Sequence, residues 1–201
     1  MFFLTIGESP RDDLVPELVE IIGKKITVHE IGLIDGISDS EIYRPLSPED
    51  TLVSRRRNGA QVELSHFWLE KRLRELVVEE PAVLLCTSEF YIDKFIKPWA
   101  VAKHFFQDLA PLKSLAVFIP DEKQSGLASR WKEFAVKVSV FPYSPYGGFE
   151  SLPEIQEEFD CVYLDCMGYT LKHENMIRGI TSGRVVSARR LIGSFLRSVV
   201  T

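Results

Sequence analysis

The chain has 201 residues, of which 45% are hydrophobic and 26% are charged, as in an ordinary globular protein. Its formal net charge of −5 argues against non-specific binding of nucleic acid, and no run approaches the roughly 18 apolar residues that span a bilayer. Three cysteines are too few, and odd in number, for a secreted disulfide scaffold. We therefore expect a cytoplasmic protein with neither a nucleic-acid nor a membrane partner.

Apolar runs of strand length alternate with segments of helical period, which is typical of βαβ units and a mostly parallel sheet. The opening residues 2–6 lack a basic leader and predict a first strand rather than a signal peptide. A helix over 14–22, capped by Asp12 or Asp13, and a strand over 26–31 are expected next. An irregular stretch, 32–50, follows them.

Asn58-Gly59 is a strong signal for a two-residue hairpin turn between strands over 51–56 and 60–64, beside the parallel sheet. Ser65 is expected to cap a helix over 67–79, and Pro81 precedes the strand that ends at Cys86. Further helices are predicted over 98–109, 125–135, 152–159, 172–178 and 188–200, and further strands over 114–119, 136–141, 161–164 and 185–186.

Two of the apolar runs end on a cysteine that is followed by small or polar residues. They are AVLLCTSEF, which contains Cys86, and CVYLDCMGY, which contains Cys166. A thiol at a strand end lies at the carboxyl edge of the sheet, where open α/β sheets bind ligands. Two such thiols suggest a site built from two half-domains. The alternative is a pair of buried structural cysteines, since free cysteine is among the most buried residue types.

The segments TIGESPRDD, LLCTSEF and YLDCMGY, with the closing VVSARRLIGSFLRSVV, make the chain resemble the AroM family over nearly its whole length. The resemblance implies the fold of the aspartate/glutamate/hydantoin racemase superfamily: two similar α/β lobes with mostly parallel sheets flanked by helices, facing each other across a cleft, with the hairpin as an insertion. It implies one domain over 1–201, with one lobe of about 1–90 plus the helix 187–201 and another of about 91–186.

The resemblance also implies a cofactor-independent racemase or isomerase that acts on a small carboxylate. In the superfamily, the position that matches Cys86 is a thiol acid/base, and Cys166 is the second thiol here. Thr87 and Ser88 match positions that bind the substrate carboxylate through hydroxyl and backbone N–H groups. A turn or helix start would favour a thiolate and an anion at this place.

The loop after the first strand supplies two further candidates for substrate binding, Ser9 and Arg11. Arginine can clamp a carboxylate through two parallel hydrogen bonds. The alternative for Arg11 is a surface side chain paired with Asp12 or Glu8. Gly168 is a candidate because glycine allows close backbone approach to a ligand.

Asp165, Glu8 and His173 are candidate assisting residues, each with a structural alternative: a helix N-cap for Asp165, a loop contact for Glu8 and an exposed helix face for His173. Cys161 begins its strand, so we expect it at the opposite end from Cys166, in a structural role. The spacing of these two cysteines fits no common zinc pattern, and no metal or cofactor is expected. The alternative function is a non-catalytic metabolite-binding or regulatory protein that keeps the same cleft. A homo-oligomer is compatible with either function.

Overall fold

A computed structural model describes residues 1–78 and 81–200, apart from the side chains of 127 and 128. The strands are β1 (Phe2–Thr5), β2 (His29–Gly32), β3 (Thr51–Arg55), β4 (Gln61–Ser65), β5 (Ala82–Leu84), β6 (Leu112–Ile119), β7 (Ala135–Pro142), β8 (Cys161–Leu164) and β9 (Arg184–Ser187). The α-helices are α1 (Val15–Ile22), α2 (His66–Glu75), α3 (Pro98–Leu109), α4 (Leu171–Arg178) and α5 (Ala188–Val199).

Two parallel sheets form the framework, as the sequence predicted. The first has the order β2-β1-β5 and the second the order β7-β6-β8-β9. In each sheet the strand that comes first in the chain lies between the second and the third. The loops after β5 and β8 are therefore topologically equivalent, and these are the loops that carry Cys86 and Cys166. Parallel strands place both loops at the carboxyl edges of their sheets.

The predicted hairpin is formed by β3 and β4, which pair antiparallel with Thr51 opposite Ser65. Its loop is one residue longer than the predicted two, because the Arg56 N–H donates to the Ala60 carbonyl at 2.8 Å and encloses residues 57–59. Gly59 takes φ +84°, which a bulged three-residue loop requires. The apolar face of the hairpin packs on the outer face of the first sheet.

Further local predictions differ from the structure. No side chain caps α1, because Asp13 binds Arg11 instead. A series of 3₁₀ turns, Glu122–Glu133, replaces the helix expected over 125–135. The helix expected over 152–159 is wrong: only the 3₁₀ turn Phe149–Ser151 forms there, and the apolar side chains that follow pack one by one on the second sheet. The helix predicted over 67–79 ends at Glu75, before the described residues 76–78, and Glu79 lies outside the described residues.

The two sheets share one central core. Phe3 and Val83 of the first sheet and Val117 and Tyr163 of the second belong to the same buried cluster, together with residues of α1, α3 and α5. α5 packs against both α1 and α3. This shared core fixes the carboxyl-edge loops of the two sheets relative to each other. Among the described residues, no helix has the length and apolarity that a membrane span requires.

Candidate active site

A cavity of about 70 Å³ lies where the carboxyl edges of the two sheets meet. Its wall comes from β3 and from the loops that follow β1, β5, β6, β7 and β8. The lining residues are Ile6, Arg11, Leu14, Leu52, Val53, Ser54, Leu85, Cys86, Thr87, Ser88, Ile119, Pro120, Gln124, Arg130, Tyr146, Asp165, Cys166, Met167 and Gly168. Pockets for drug-sized ligands measure about 300–1,000 Å³, so this cavity suits a much smaller molecule.

Both strand-end cysteines line this cavity. After β5 the Leu85 N–H still donates to Leu4, at 2.7 Å, and the chain then turns sharply as the Cys86 N–H donates to the Leu84 carbonyl at 2.9 Å. That turn ends the strand and directs the next residues, Thr87 and Ser88, along the wall. Cys161, at the start of β8, is buried in the central core instead.

Burial dominates the chemistry of the two thiols. It raises the pKa of Cys86, although hydrogen bonds from Ser88 and the charge of Arg130 act in the opposite direction. It raises the pKa of Cys166 to about 11, although the Gly168 N–H donates to Cys166 Sγ at 3.4 Å. A negative charge on Cys86 also opposes the ionisation of Cys166 and contributes to its raised pKa. Cys166 is therefore a neutral thiol at neutral pH.

Asp165 accepts hydrogen bonds from two side chains, and the alternative role of a helix N-cap is wrong. Its Oδ2 accepts from Arg130 Nη2 at 2.6 Å and from Trp131 Nε1 at 2.9 Å. The N-cap of α4 is Thr170, five positions further along the chain. Within the described residues Asp165 Oδ1 is buried and accepts no hydrogen bond. The carboxylate next to Cys166 thus keeps one acceptor unused.

Arg11 lines the cavity, but a carboxylate of the chain already occupies its guanidinium. Nε and Nη2 donate to the two oxygens of Asp13, each at 2.8 Å, and Nη1 donates to Thr5 Oγ1 at 3.0 Å. Burial alone would lower the pKa of Arg11, but the bonds and charge of Asp13 raise it. Arg11 is buried and pairs with Asp13, so the alternative of a surface side chain paired with Asp12 or Glu8 is wrong.

Ser9 and Glu8 hold the loop after β1 in place and lie outside the cavity wall. Ser9 Oγ donates to Asp35 Oδ2 at 2.5 Å, and the Ser9 N–H donates to Asp35 Oδ1 at 2.8 Å. The Arg57 N–H and Arg56 Nη1 each donate to Glu8 at 2.7 Å, and these bonds lower the pKa of Glu8. The side chains of both candidates therefore bind neighbouring segments of the first half of the chain.

His173 also lies outside the cavity wall, and its expected position on an exposed helix face is wrong. Its Nδ1 accepts from the Thr170 N–H at 3.0 Å in a capping box at the start of α4. This bond turns the ring inward among Tyr143, Phe149 and Tyr169. Burial lowers the pKa of His173, so the ring is neutral at neutral pH.

Tyr146 closes the cavity from the loop after β7. The Arg55 guanidinium lies 3.6 Å from the centre of its ring, and Arg11 Nη2 donates to its hydroxyl at 3.4 Å. A Cβ on Gly168 would stand 2.8 Å from that hydroxyl and 2.8 Å from Pro145 Cγ. A side chain at position 168 would thus force Tyr146 or Pro145 to shift, because both approach the backbone of Gly168.

Several wall residues have no counterpart among the sequence predictions. Tyr146 follows a predicted strand, so the carboxyl-edge rule that selected the cysteines could also have selected it. Ser54 faces the cavity from β3, where only the register of the hairpin decides which side chains point inward. Arg130 lies in the segment predicted as an ordinary helix, and no local pattern distinguishes it from a solvated arginine.

Comparison with known families agrees with this architecture. A family model described as AroM protein matches residues 1–200. The chain belongs to the AroM family. This membership confirms the resemblance that the strand-end cysteine segments and the closing helix indicated. No curated protein sequence matches the chain significantly.

Two solved structures resemble this AroM family member. Allantoin racemase from Pseudomonas fluorescens has a TM-score of 0.58 at 11% identity, over 99% of this chain and 90% of that one. A variant of the maleate isomerase Iso from Pseudomonas putida, determined with maleate, has a TM-score of 0.53 at 11% identity, over 94% of this chain and 88% of that one. At this identity they show a shared racemase fold.

Among the described residues, no three His, Cys, Asp or Glu side chains are grouped to hold a metal ion.

Proposed function

We propose that this AroM family member is a cofactor-independent racemase or isomerase that acts on a small carboxylate through Cys86 and Cys166. One observation carries the proposal: the two cysteines follow equivalent strands of two similarly ordered sheets and line one small cavity. Two thiols on opposite sides of a carbon can remove a proton from one face and deliver another to the opposite face.

In the proposed reaction, one cysteine acts as a thiolate and takes the proton of the carbon next to the carboxylate. The electron pair of that C–H bond passes into the carboxylate as an enolate-like charge, which the backbone N–H groups of Thr87 and Ser88 and the Ser88 hydroxyl stabilise. The other thiol then protonates the carbon from the opposite face. At the end of the turnover the first cysteine is a thiol and the second is a thiolate. The next turnover therefore runs in the reverse direction.

The charges of the wall favour a substrate without net charge. Among the described residues the charged lining side chains are Arg11, Arg130 and Asp165, and each arginine already has a carboxylate partner. A dianionic diacid would bring two charges that no free arginine balances. A zwitterionic amino acid avoids this cost, as does a neutral ring such as a hydantoin, in which a ring carbonyl takes the place of the carboxylate, and the N–H of either would meet the unused acceptor of Asp165.

A non-catalytic metabolite-binding protein is the second candidate, and one observation favours it. Burial raises the pKa of both cavity thiols, so little thiolate is present at neutral pH in the absence of a ligand. A binding protein needs no thiolate. The two candidates therefore differ in whether a bound ligand loses its α-proton.

The test is proton exchange in heavy water with a panel of amino acids, hydantoins and small diacids, followed by loss of the α-proton signal in NMR spectra. We expect exchange with at least one amino acid or hydantoin, and a loss of about a hundredfold or more in Cys86→Ser and in Cys166→Ser. Cys161→Ser, outside the cavity, is the matched control and should retain the rate. Exchange that survives both cavity variants would contradict the two-thiol reaction, and saturable binding without exchange would favour the second candidate.

A further inference from the structure

We propose that Arg130 is a positioning residue that holds the two cysteine loops at a fixed separation across the cavity. The inference rests on the proposed function in taking Cys86 and Cys166 as the reacting pair. The contacts of Arg130 lie within the chain, and the test of this inference needs no substrate.

One guanidinium bonds to both cysteine loops. Arg130 Nη1 donates to the carbonyl of Thr87 at 3.1 Å, and Nη2 donates to Asp165 Oδ2 at 2.6 Å. Thr87 directly follows Cys86 in the chain, and Asp165 directly precedes Cys166. The first loop belongs to the sheet of β1 and the second to the sheet of β6. Arg130 therefore connects the two halves of the site at the residues next to their thiols.

The surroundings hold Arg130 in this position. Its guanidinium carbon lies 4.2 Å from the centre of the Trp99 ring, and only 14% of its side chain is exposed. Trp131 Nε1 donates to the same oxygen of Asp165, and Thr87 Oγ1 donates to the Asp165 carbonyl at 3.2 Å. The planar fork of arginine serves two acceptors in different directions while its face rests on an aromatic ring. A lysine ammonium keeps the charge but cannot reproduce that geometry.

Arg130 could act as a clamp that holds the two cysteine loops or only as a charge near the thiols. These two roles predict opposite effects on the rate of thiol alkylation. Burial raises the pKa of Cys86, and the charge of Arg130 reduces that rise. Loss of the charge alone would therefore leave less thiolate and slow the alkylation of Cys86. Loss of the clamp would instead open the cavity and speed the alkylation of Cys86 and Cys166 together.

The experiment measures the rate at which iodoacetamide modifies each cysteine of the full chain, by peptide mass spectrometry, in wild type, Arg130→Lys and Arg130→Met. Cys161, buried at the other end of β8, is the internal reference. Arg72→Lys is the matched control, because Arg72 Nε also donates to a backbone carbonyl, of Leu33 at 2.9 Å, and its guanidinium lies over Trp68. Arg72 lies outside the cavity wall.

We expect Arg130→Lys to speed alkylation of Cys86 and Cys166 relative to Cys161 by about tenfold or more, the factor expected for loss of one charge-assisted hydrogen bond. Arg72→Lys should change neither rate. Rates within about twofold of wild type, slower alkylation of Cys86 alone, or an equal rise at Cys161 would each overturn the clamp. If Arg130→Lys does not fold, Arg130→Met takes its place: loss of the charge would slow the alkylation of Cys86, so faster alkylation of both Cys86 and Cys166 would still identify the clamp. No substrate is needed, so this result and the proton-exchange result can fail independently.

Discussion

The Cys166 thiol lies in the cavity wall, and burial raises its pKa to about 11. An ordinary cysteine, with a pKa of about 8.5, has nearly its full thiolate fraction by pH 9.5. Below its raised pKa, the thiolate fraction of Cys166 grows tenfold with each pH unit. Burial thus keeps Cys166 in the form that donates a proton.

This raised pKa predicts the pH dependence of alkylation at Cys166. Its rate should rise about tenfold per unit from pH 7 to pH 10 without levelling off, whereas a thiol of ordinary pKa levels off near pH 9. Mass spectrometry of the peptide that contains Cys166, after timed exposure to iodoacetamide, measures this rate. A plateau near pH 8 or 9 would show that the thiol is not desolvated. Free cysteine in the same buffers is the control for the reagent.

At the level of single residues, the sequence located the thiols but not the partners of the charged groups. Cys86 and Cys166 could be placed because a strand end fixes which edge of the sheet a residue occupies. The partner of Arg11 could not be chosen among neighbouring carboxylates, since Asp12, Asp13 and Glu8 are all within reach along the chain. Only the folded loop selects Asp13, and only tertiary contact joins Arg130 to a residue 35 positions away.

Among the elements, the placement of the loop after β7 depends on the backbone at position 168. Tyr146 reaches from this loop to Arg11 and Arg55 in the first half of the chain, over the backbone of Gly168. A side chain at position 168 would therefore force Tyr146 or Pro145 to shift from its place over the cavity. The proline before Tyr146 is equally close to that position.

Gly168→Ala should lower the free energy of unfolding by about 1–3 kcal/mol, because the added methyl group overpacks against Pro145 and Tyr146. Gly126→Ala is the matched control: a Cβ there meets nothing within 4 Å, and we expect a neutral or slightly stabilising effect. Urea unfolding measures both. Addition of Tyr146→Phe, which removes the crowded hydroxyl, should restore part of the loss. Equal stability of the two alanine variants would show that the loop does not rest on Gly168.

Elements with a clear start signal and a continuous apolar stripe were predictable. The helix over 98–109, which begins at Pro98, forms with those bounds, and Ser65 caps α2 as expected. The segment 152–159 has apolar residues at helical spacing, but its remaining positions are mostly acidic. Its apolar side chains can reach the second sheet without a helix, so tertiary packing overrides the local period there.

For the whole molecule, the order of strands explains why one cavity receives both thiols. Each sheet places its first strand between its second and third, and the shared core sets the two sheets against each other. The alternation of strands and helices predicted this α/β arrangement. The size and charge balance of the cavity could not be predicted, because they depend on side chains from six separate segments. The lobe boundaries remain a prediction.

The most direct test of two opposed thiols is the position of deuterium early in the reaction in heavy water, with whichever substrate of the panel reacts. If one cysteine takes the proton and the other delivers a different one, the first product molecules carry deuterium while the remaining substrate keeps its proton. Mass spectrometry of the separated enantiomers at low conversion measures both. We predict deuterium in the product alone, and product formation lost in Cys86→Ser and in Cys166→Ser. Equal deuterium in product and recovered substrate would mean that a single base serves both faces, and would contradict the account.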